Sequence, residues 1–469
     1  MGKGLISVCN ETNALGATGA EAAAILNSAA SAAELRRQLG LGSAAAAVAG
    51  EVIGIGIFLT PAGMAKSLGS PFWLLTVWLL VGAMTICGAL CYGELAGRFP
   101  RAGGSYVYLE EAFGSRLAFL YGWMSLLVLD PGVTAALAVG GGAYAAYIFH
   151  WSPAAIKLAA VSSILILCAL NIFSTLLGAG VLRWITWLKL GVLGLVAIWP
   201  IAFRLGSRAN FIPFFAQRPG ALPLTAAFGA ALVSAGYSFG GWWDVSKIQG
   251  EVRDPERTLP RALILGVLAV TAAFILISMV FLYVVPLSRV TSGETFVAQA
   301  GEALFGPAGG IVLSAIVVLC VLGSLAAMII ASPRVYFAMA QDRLFFHAIA
   351  RPHPRFGTPA GAIAILGILA SVLVLARNFE QIVAYFFFVA IVFLGLTVAG
   401  LFVVRQRDSG AGPAVKTPGY PVTPVVFLAM MILLLVALAV RNPREAAVGC
   451  AVVLAGVPVY SVVRHKMKK

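Results

Sequence analysis

Charge is what this chain has least of. Only 11% of its residues are Asp, Glu, Lys or Arg, less than half of the roughly 25% of a soluble domain. That scarcity excludes an ordinary water-soluble globule. Cysteine and histidine are also few, at six and four. Cys87, Cys91, Cys168, Cys320 and Cys450 fall in apolar segments and Cys9 in the N-terminal tail, with no metal or disulfide spacing. They read as small apolar core residues. His347 and His353 are loop residues without metal-ligand company. No resident metal or cofactor is expected. No phosphate-binding loop, nucleophile elbow or zinc motif lies on a polar segment long enough for a catalytic domain, so the reading excludes an enzyme. Residues 1–40 lack a basic stretch leading into an apolar one, and no cleavable signal peptide is expected. The Ala-rich stretch Ala14–Glu34 reads as a cytoplasmic tail.

What is present is hydrophobicity: 61% of the 469 residues, against roughly 45–50% in soluble domains. The apolar runs are continuous and long enough to cross a bilayer as helices. They do not alternate, as strands of a membrane β-barrel would. The expected class is an all-α polytopic membrane protein of twelve spans, at about 42–66, 72–97, 115–149, 154–174, 178–203, 222–248, 261–286, 309–340, 359–376, 380–404, 422–440 and 446–463. A semi-polar hexamer, Tyr106–Glu111, is too short to span and is expected to lie at the interface. The net charge of +14 does not point to nucleic acid. Most of the Lys and Arg fall on the side that holds both termini, which the positive-inside bias makes cytoplasmic. The expected location is a bacterial inner (plasma) membrane.

Two spans carry glycine interruptions. Val52-Ile53-Gly54-Ile55-Gly56-Ile57-Phe58 lies in the first, and Tyr237-Ser238-Phe239-Gly240-Gly241 in the sixth. Glycine is a poor helix residue, and backbone groups freed in hydrocarbon are tolerated only beside a cavity or ligand. Paired broken helices in corresponding halves mark the binding site of a secondary transporter. The odd number of spans between the breaks fits a five-plus-five inverted repeat, with two helices appended. It divides the chain into a tail (1–40), two repeats (41–204 and 205–405) and a C-terminal pair (406–469). At the first break, Ile53, Gly54, Ile55, Gly56 and Ile57 are expected to offer amides and a half-helix dipole to a carboxylate, such as that of an amino acid. At the second, carbonyls from Tyr237, Ser238, Phe239 and Gly240 are expected to accept from an ammonium, with Tyr237 and Phe239 as aromatic gates. No acidic residue lies in that stretch, which favours a neutral substrate. The plainer reading is helix packing through small residues.

Lys189 is the one Lys or Arg deep in a span, about nine residues or roughly 13 Å from its start. Charges at that depth are usually functional, and a desolvated lysine loads and unloads protons. Glu51, three residues before Gly54, is a partner for it in proton coupling. Asp130 in the third span and Ser324 in the eighth are further intramembrane polar residues. Asp244, Glu251, Asp254, Arg334, Asp342 and Arg343 cluster at inner helix ends, as gate residues or as solvated loops.

Four motifs together resemble the amino acid–polyamine–organocation superfamily, and within it the L-type amino acid transporters and their bacterial relatives. They are Gly54–Pro61; Tyr92-Gly93-Glu94-Leu95 with Pro100–Tyr106; Phe239–Trp242 with Gly250–Arg257; and Pro333–Asp342. The resemblance covers Leu35 to about Arg405. It implies a LeuT-type fold and alternating-access amino acid transport. It maps the carboxylate site to Gly54–Phe58, the aromatic gate to Tyr237 and the helix 5 lysine to Lys189. The chain departs from the pattern in three places. Ile55 stands where a serine is common, Glu51 where a small or hydroxyl residue is, and Gly240 where carriers of cationic amino acids often have Asp. Cysteine is missing from the loop 149–155 that would bond a heavy subunit, so no disulfide-linked partner is expected. The expected partners are an amino acid, membrane lipid and protons. The alternatives are a cationic amino acid or polyamine carrier, and a non-transporting amino acid sensor on the same fold. A channel would need rings of polar residues that the spans lack.

Overall fold

A computed structural model describes residues 39–54, 56–100, 103–173, 179–289, 296–341, 358–407 and 415–467. Ile55, Cys9, most of the N-terminal tail, Asp342, Arg343, His347, His353 and the side chains of Glu251 and Arg334 lie outside the described residues. Among those described, every regular element is helical, apart from one isolated β-bridge between Leu39 and Val252.

The first span consists of α1 (Leu41–Val52) and α2 (Gly56–Leu68), bent by 51° at the break. The second is α3 (Pro71–Arg98), and α4 (Ser105–Phe113) follows it. The third runs through α5 (Ser115–Met124), a π-helical turn (Ser125–Leu129) and α6 (Asp130–Phe149). Next come α7 (Pro153–Phe173), α8 (Ala179–Ala202) and α9 (Leu224–Ser238), which is succeeded by a 3-10 helix at Asp244–Glu251. The rest is α10 (Pro255–Val284), α11 (Phe296–Gln341), α12 (Ala360–Ala376), α13 (Phe379–Arg407), α14 (Val422–Arg441) and α15 (Pro443–Met467). Among the described residues eight helices are long and apolar enough to cross a bilayer, and the bent first pair makes a ninth. Leu188–Ala202, α9 and α12 are shorter apolar helices.

Two expected boundaries move. The polar stretch after the sixth span is helical from Pro255, not from about 261. Proline suits the first helical position, where its missing amide costs no bond, and Asp254 turns the chain with φ 46. The eighth span is preceded by helix from Phe296, set off by a turn at Gly306 with φ 73. The hexamer expected at the interface is helical within α4 and packs one face on the protein. Tyr106, Val107, Tyr108 and Leu109 are buried, and Tyr92 and Ser105 share a hydrogen bond of 2.8 Å.

Packing sorts the spans into two groups. The first, second, sixth and seventh pack on one another, as α1, α2, α3, α9 and α10. The third, fourth, eighth and ninth do likewise, as α6, α7, α11 and α12. Lipid offers no hydrophobic gain for helix association, so close approach through small residues carries it. Gly82 meets Thr271 and Gly266 meets Val48 in the first group, and Gly141 meets Val321 in the second. Trp78 stacks on Phe274 at 4.5 Å between the second and seventh spans. The α13 helix touches both groups, α14 packs on α13 and on α3 and α9 of the first group, and α15 packs on α13 and α5.

Candidate functional site

The helix of the first span stops where glycine arrives. The last α1 turn closes with Ile53 N donating to Ala49 O at 2.8 Å and Gly54 N to Val52 O at 2.7 Å. A new helix starts at Gly56. Its first amides, from Gly56 to Phe58, have no carbonyl one turn earlier to bond, and the positive end of its dipole sits there. Pro61 has no amide to give the carbonyl of Ile57, which is freed as well.

The break of the sixth span lies against it. A β-carbon at Gly56 would stand 2.7 Å from Ser238 Cα, so only glycine fits. Thr60, one turn after Gly56, meets Ser238 with hydroxyls 2.7 Å apart. Thr60 also reaches Gly56 O at 2.9 Å, and Ser238 reaches Ser234 O at 2.8 Å. Two hydroxyl protons cannot make three bonds at once, so one of the three contacts goes unmade at any moment. On the other side of the break Gly241, with φ +98, comes within 3.4 Å (measured from an ideal β-carbon) of Glu51 O. Phe58 O accepts from Tyr144 of the third span, and Tyr144 accepts from Val297 N at 3.2 Å.

The two candidate gates face different ways. Tyr237 packs edge-on against Phe379, Phe386 and Phe387 of α13, with centroids 6.0, 6.0 and 6.4 Å away. Phe239 is 1% exposed and stacks on Phe274 at 5.1 Å, beside Trp78. Gly240 N donates to Tyr237 O at 2.9 Å, which occupies that carbonyl within the turn.

Lys189 on α8 is buried, whereas Glu51 is exposed at the break. The fields of Glu51 and of Cys320 on α11 act on Lys189. Asp244, Lys189 and Lys247 act on Glu51. The Glu51–Lys189 interaction is through space, and no direct ion pair joins them. Ser324 lies one turn along α11 from Cys320, half-buried, and donates to its carbonyl at 3.2 Å.

Asp130 stands apart from the breaks. It is 1% exposed and opens α6 immediately after the π-helical turn. Tyr336 of α11 donates to its Oδ2 and also lies 3.3 Å from Ser125 O. Its Oδ1 has no hydrogen-bond donor.

Several residues of this region are hard to find from the sequence. Thr60 has a local signal, since i and i+4 share a helix face. Tyr144, Phe386 and Phe387 have none, because their contacts cross 86 to about 150 residues of chain. Glu94 is another. Fully buried, it accepts from Arg98 Nη2 at 2.9 Å, Arg405 Nε at 2.9 Å and Thr417 N at 2.7 Å. Arg405 in turn lies 3.8 Å over the ring of Tyr420.

The two helix breaks are thus apposed within a helical bundle. The chain belongs to the Amino acid permease family, whose pattern it matches over residues 39–463. It is an integral membrane protein of a transporter family and not an enzyme. It is 31% identical to the serine/threonine exchanger SteT of Bacillus subtilis, over 93% of this chain and 98% of that protein. It is 28% identical to the human b(0,+)-type amino acid transporter 1, over 92% of this chain and 88% of that protein. Human large neutral amino acids transporter small subunit 2 is also 28% identical, over 91% of this chain and 80% of that protein.

Proposed function

We propose that this chain is a secondary carrier of neutral amino acids that works by alternating access. The observation that carries the reading is the apposition of the two breaks at Gly56–Ser238 and Glu51–Gly241. A substrate carboxylate sits on the amides from Ile55 to Ile57, the Gly54 amide being taken up by Val52 O, and its ammonium on the carbonyls beyond Tyr237. Tyr237, backed by Phe386 and Phe387, is the gate. The absence of an acidic residue from the Tyr237–Gly241 stretch favours a neutral side chain, and the exchanger among the relatives favours antiport. Twelve spans in a five-plus-five repeat, both termini on the cytoplasmic side of a bacterial inner membrane, fit the charge bias. Lys189, with Glu51 in its field, is the candidate for proton coupling.

One observation favours a second reading. Glu51 is exposed beside Gly241, which has no side chain to cover it. A carboxylate there suits a cationic amino acid or a polyamine.

Both readings are tested by uptake into proteoliposomes of radiolabelled serine, threonine, leucine, arginine and putrescine. The runs are made with and without an inward proton gradient, and with and without amino acid inside. Uptake of neutral amino acids accelerated by internal amino acid supports exchange. Stimulation by the gradient, lost in Lys189→Ala, supports symport. Arginine or putrescine uptake that Glu51→Gln abolishes moves the substrate class. Binding with no flux of any compound overturns the carrier in favour of a sensor.

A further inference from the structure

The exposed side of α10 changes character at one end, and the proposed transport site does not use that end. One stripe is exposed along the helix: Arg257, Arg261, Leu265, Leu268, Leu276 and Met279. Steps of three, four and eight residues keep these positions on one face. The opposite face, with Leu259, Leu263, Val267, Val270 and Phe274, is buried. From Arg261 to Met279 the helix rises about 27 Å at 1.5 Å per residue, against a hydrocarbon layer of about 30 Å. The four apolar residues of the stripe thus face lipid chains. Arg261 stands at the edge of the hydrocarbon, and Arg257 lies about 6 Å further out, at the depth of the headgroups.

Neither guanidinium has a hydrogen-bond or ion-pair partner among the described residues. Their neighbours do. The end of α3 lies beside the start of α10, where a β-carbon at Gly93 would stand 2.9 Å from Pro260 Cβ. There Arg98 and Arg405 bond Glu94, and Arg407 bonds Glu111 O at 3.3 Å. The nearest carboxylates in sequence do not answer Arg257 and Arg261. Glu256 is exposed, but it stands roughly 140° round the helix from Arg261, and Asp254 precedes the helix. Two like charges four residues apart repel, so the pair is complete only with an anion between them. The positive-inside bias accounts for basic residues on this side of the protein. It does not account for their alignment with the lipid-facing stripe.

We propose that Arg257 and Arg261 hold the phosphate of an acidic phospholipid, whose acyl chains lie over Leu265 and Leu268. A guanidinium offers a planar fork that matches phosphate and gives up its water more readily than an ammonium does. A headgroup of net negative charge is selected, because a zwitterionic one brings its own cation to a place that already has two. The lipid sits against the helix pair α1 and α10. Leu39 bridges to Val252, Arg253 N donates to Leu39 O at 2.9 Å, and Val48 packs on Gly266. The site is therefore joined to the start of the first span, and it stands whether or not the chain carries a substrate.

The test is native mass spectrometry of the full-length protein, titrated in detergent with phosphatidylglycerol or with phosphatidylcholine of the same chains. Wild type is expected to bind the first phosphatidylglycerol more tightly than phosphatidylcholine. At about 1 kcal/mol for each arginine at an acidic surface, Arg257→Gln and Arg261→Gln should each weaken that binding about fivefold and the double variant about thirtyfold. Phosphatidylcholine binding should not change. A control variant removes Arg116 at the start of α5 and Lys416 beside the Glu94 cluster, both exposed and off the stripe. It should bind as wild type does. Equal binding of the two lipids by wild type, or full binding by the double variant, overturns the site. A control that falls as far as the double variant overturns it in favour of diffuse surface charge. Excess glycerol phosphate that abolishes the preference overturns the lipid in favour of a bare phosphate. A second measurement reads position and, in wild type, needs no variant to fold. Hydrogen exchange is followed in phosphatidylcholine nanodiscs with and without phosphatidylglycerol. Slower exchange over 39–54 and 252–262 is expected with the acidic lipid in wild type and not in the double variant. No difference in wild type overturns the placement.

Discussion

Two buried carboxylates, Glu94 and Asp130, occupy neighbouring spans in opposite chemical states. Glu94 is fully enclosed and fully answered: two guanidinium groups and the Thr417 amide converge on its two oxygens. Asp130 is as deeply enclosed, yet it has one hydroxyl on one oxygen and none on the other. A charge with all its partners in place is held by geometry that any movement would break, which suits a fixed joint. Glu94 joins the ends of α3 and α13 to the 415–421 loop, and Asp130 joins the start of α6 to α11 through Tyr336.

The comparison breaks most visibly at Glu94. Glu94→Ala leaves Arg98 and Arg405 without their carboxylate, and the loss of one member of a buried pair costs about 3–5 kcal/mol. A melting-temperature scan of purified protein should show the largest fall of any substitution named here. An unchanged scan would mean that the cluster is loosely hydrated and not a joint. Gly56→Ala comes second. Its methyl would meet the Ser238 backbone at 2.7 Å, and overpacking of this kind costs about 1–3 kcal/mol. Because the methyl pushes the two breaks apart, serine binding should weaken alongside stability. Stability lost with affinity intact would detach the breaks from the substrate. Asp130→Asn is the smallest. An amide oxygen still accepts from Tyr336, so stability should change by less than about 1 kcal/mol. A fall as large as that of Glu94→Ala would show that the two carboxylates are alike after all.

Much of the candidate site is legible in the sequence. Gly54, Gly56 and Gly241 stand in apolar runs where glycine weakens a helix, and the chain breaks at both places. Side-chain direction is not legible there. Composition makes Tyr237 and Phe239 equal candidates for the gate. Two residues on a helix end point about 200° apart, and packing sends Phe239 to Trp78 and Phe274 and Tyr237 to α13. The semi-polar composition of Tyr106–Glu111 fits an interface as well as a buried helix whose tyrosines find partners. In the fold its tyrosines find such partners, and Tyr92 and Tyr108 pack edge to face at 5.8 Å. The charges near Pro255 resemble a loop, although proline suits a helix's first turn, and α10 starts there.

Local chemistry along the chain is enough to place it in a membrane, to make its spans helices, and to mark which two of them are interrupted. Each of these follows from local rules: the cost of charge and of unpaired backbone groups in hydrocarbon, and the weakness of glycine in a helix. Folding alone brings the interruptions face to face, sets Lys189 to act on Glu51 without bonding it, and joins Asp130 Oδ2 to Tyr336 across 206 residues. Those are relations between helices, set by which small residues allow which backbones to approach, and no single stretch of chain contains them.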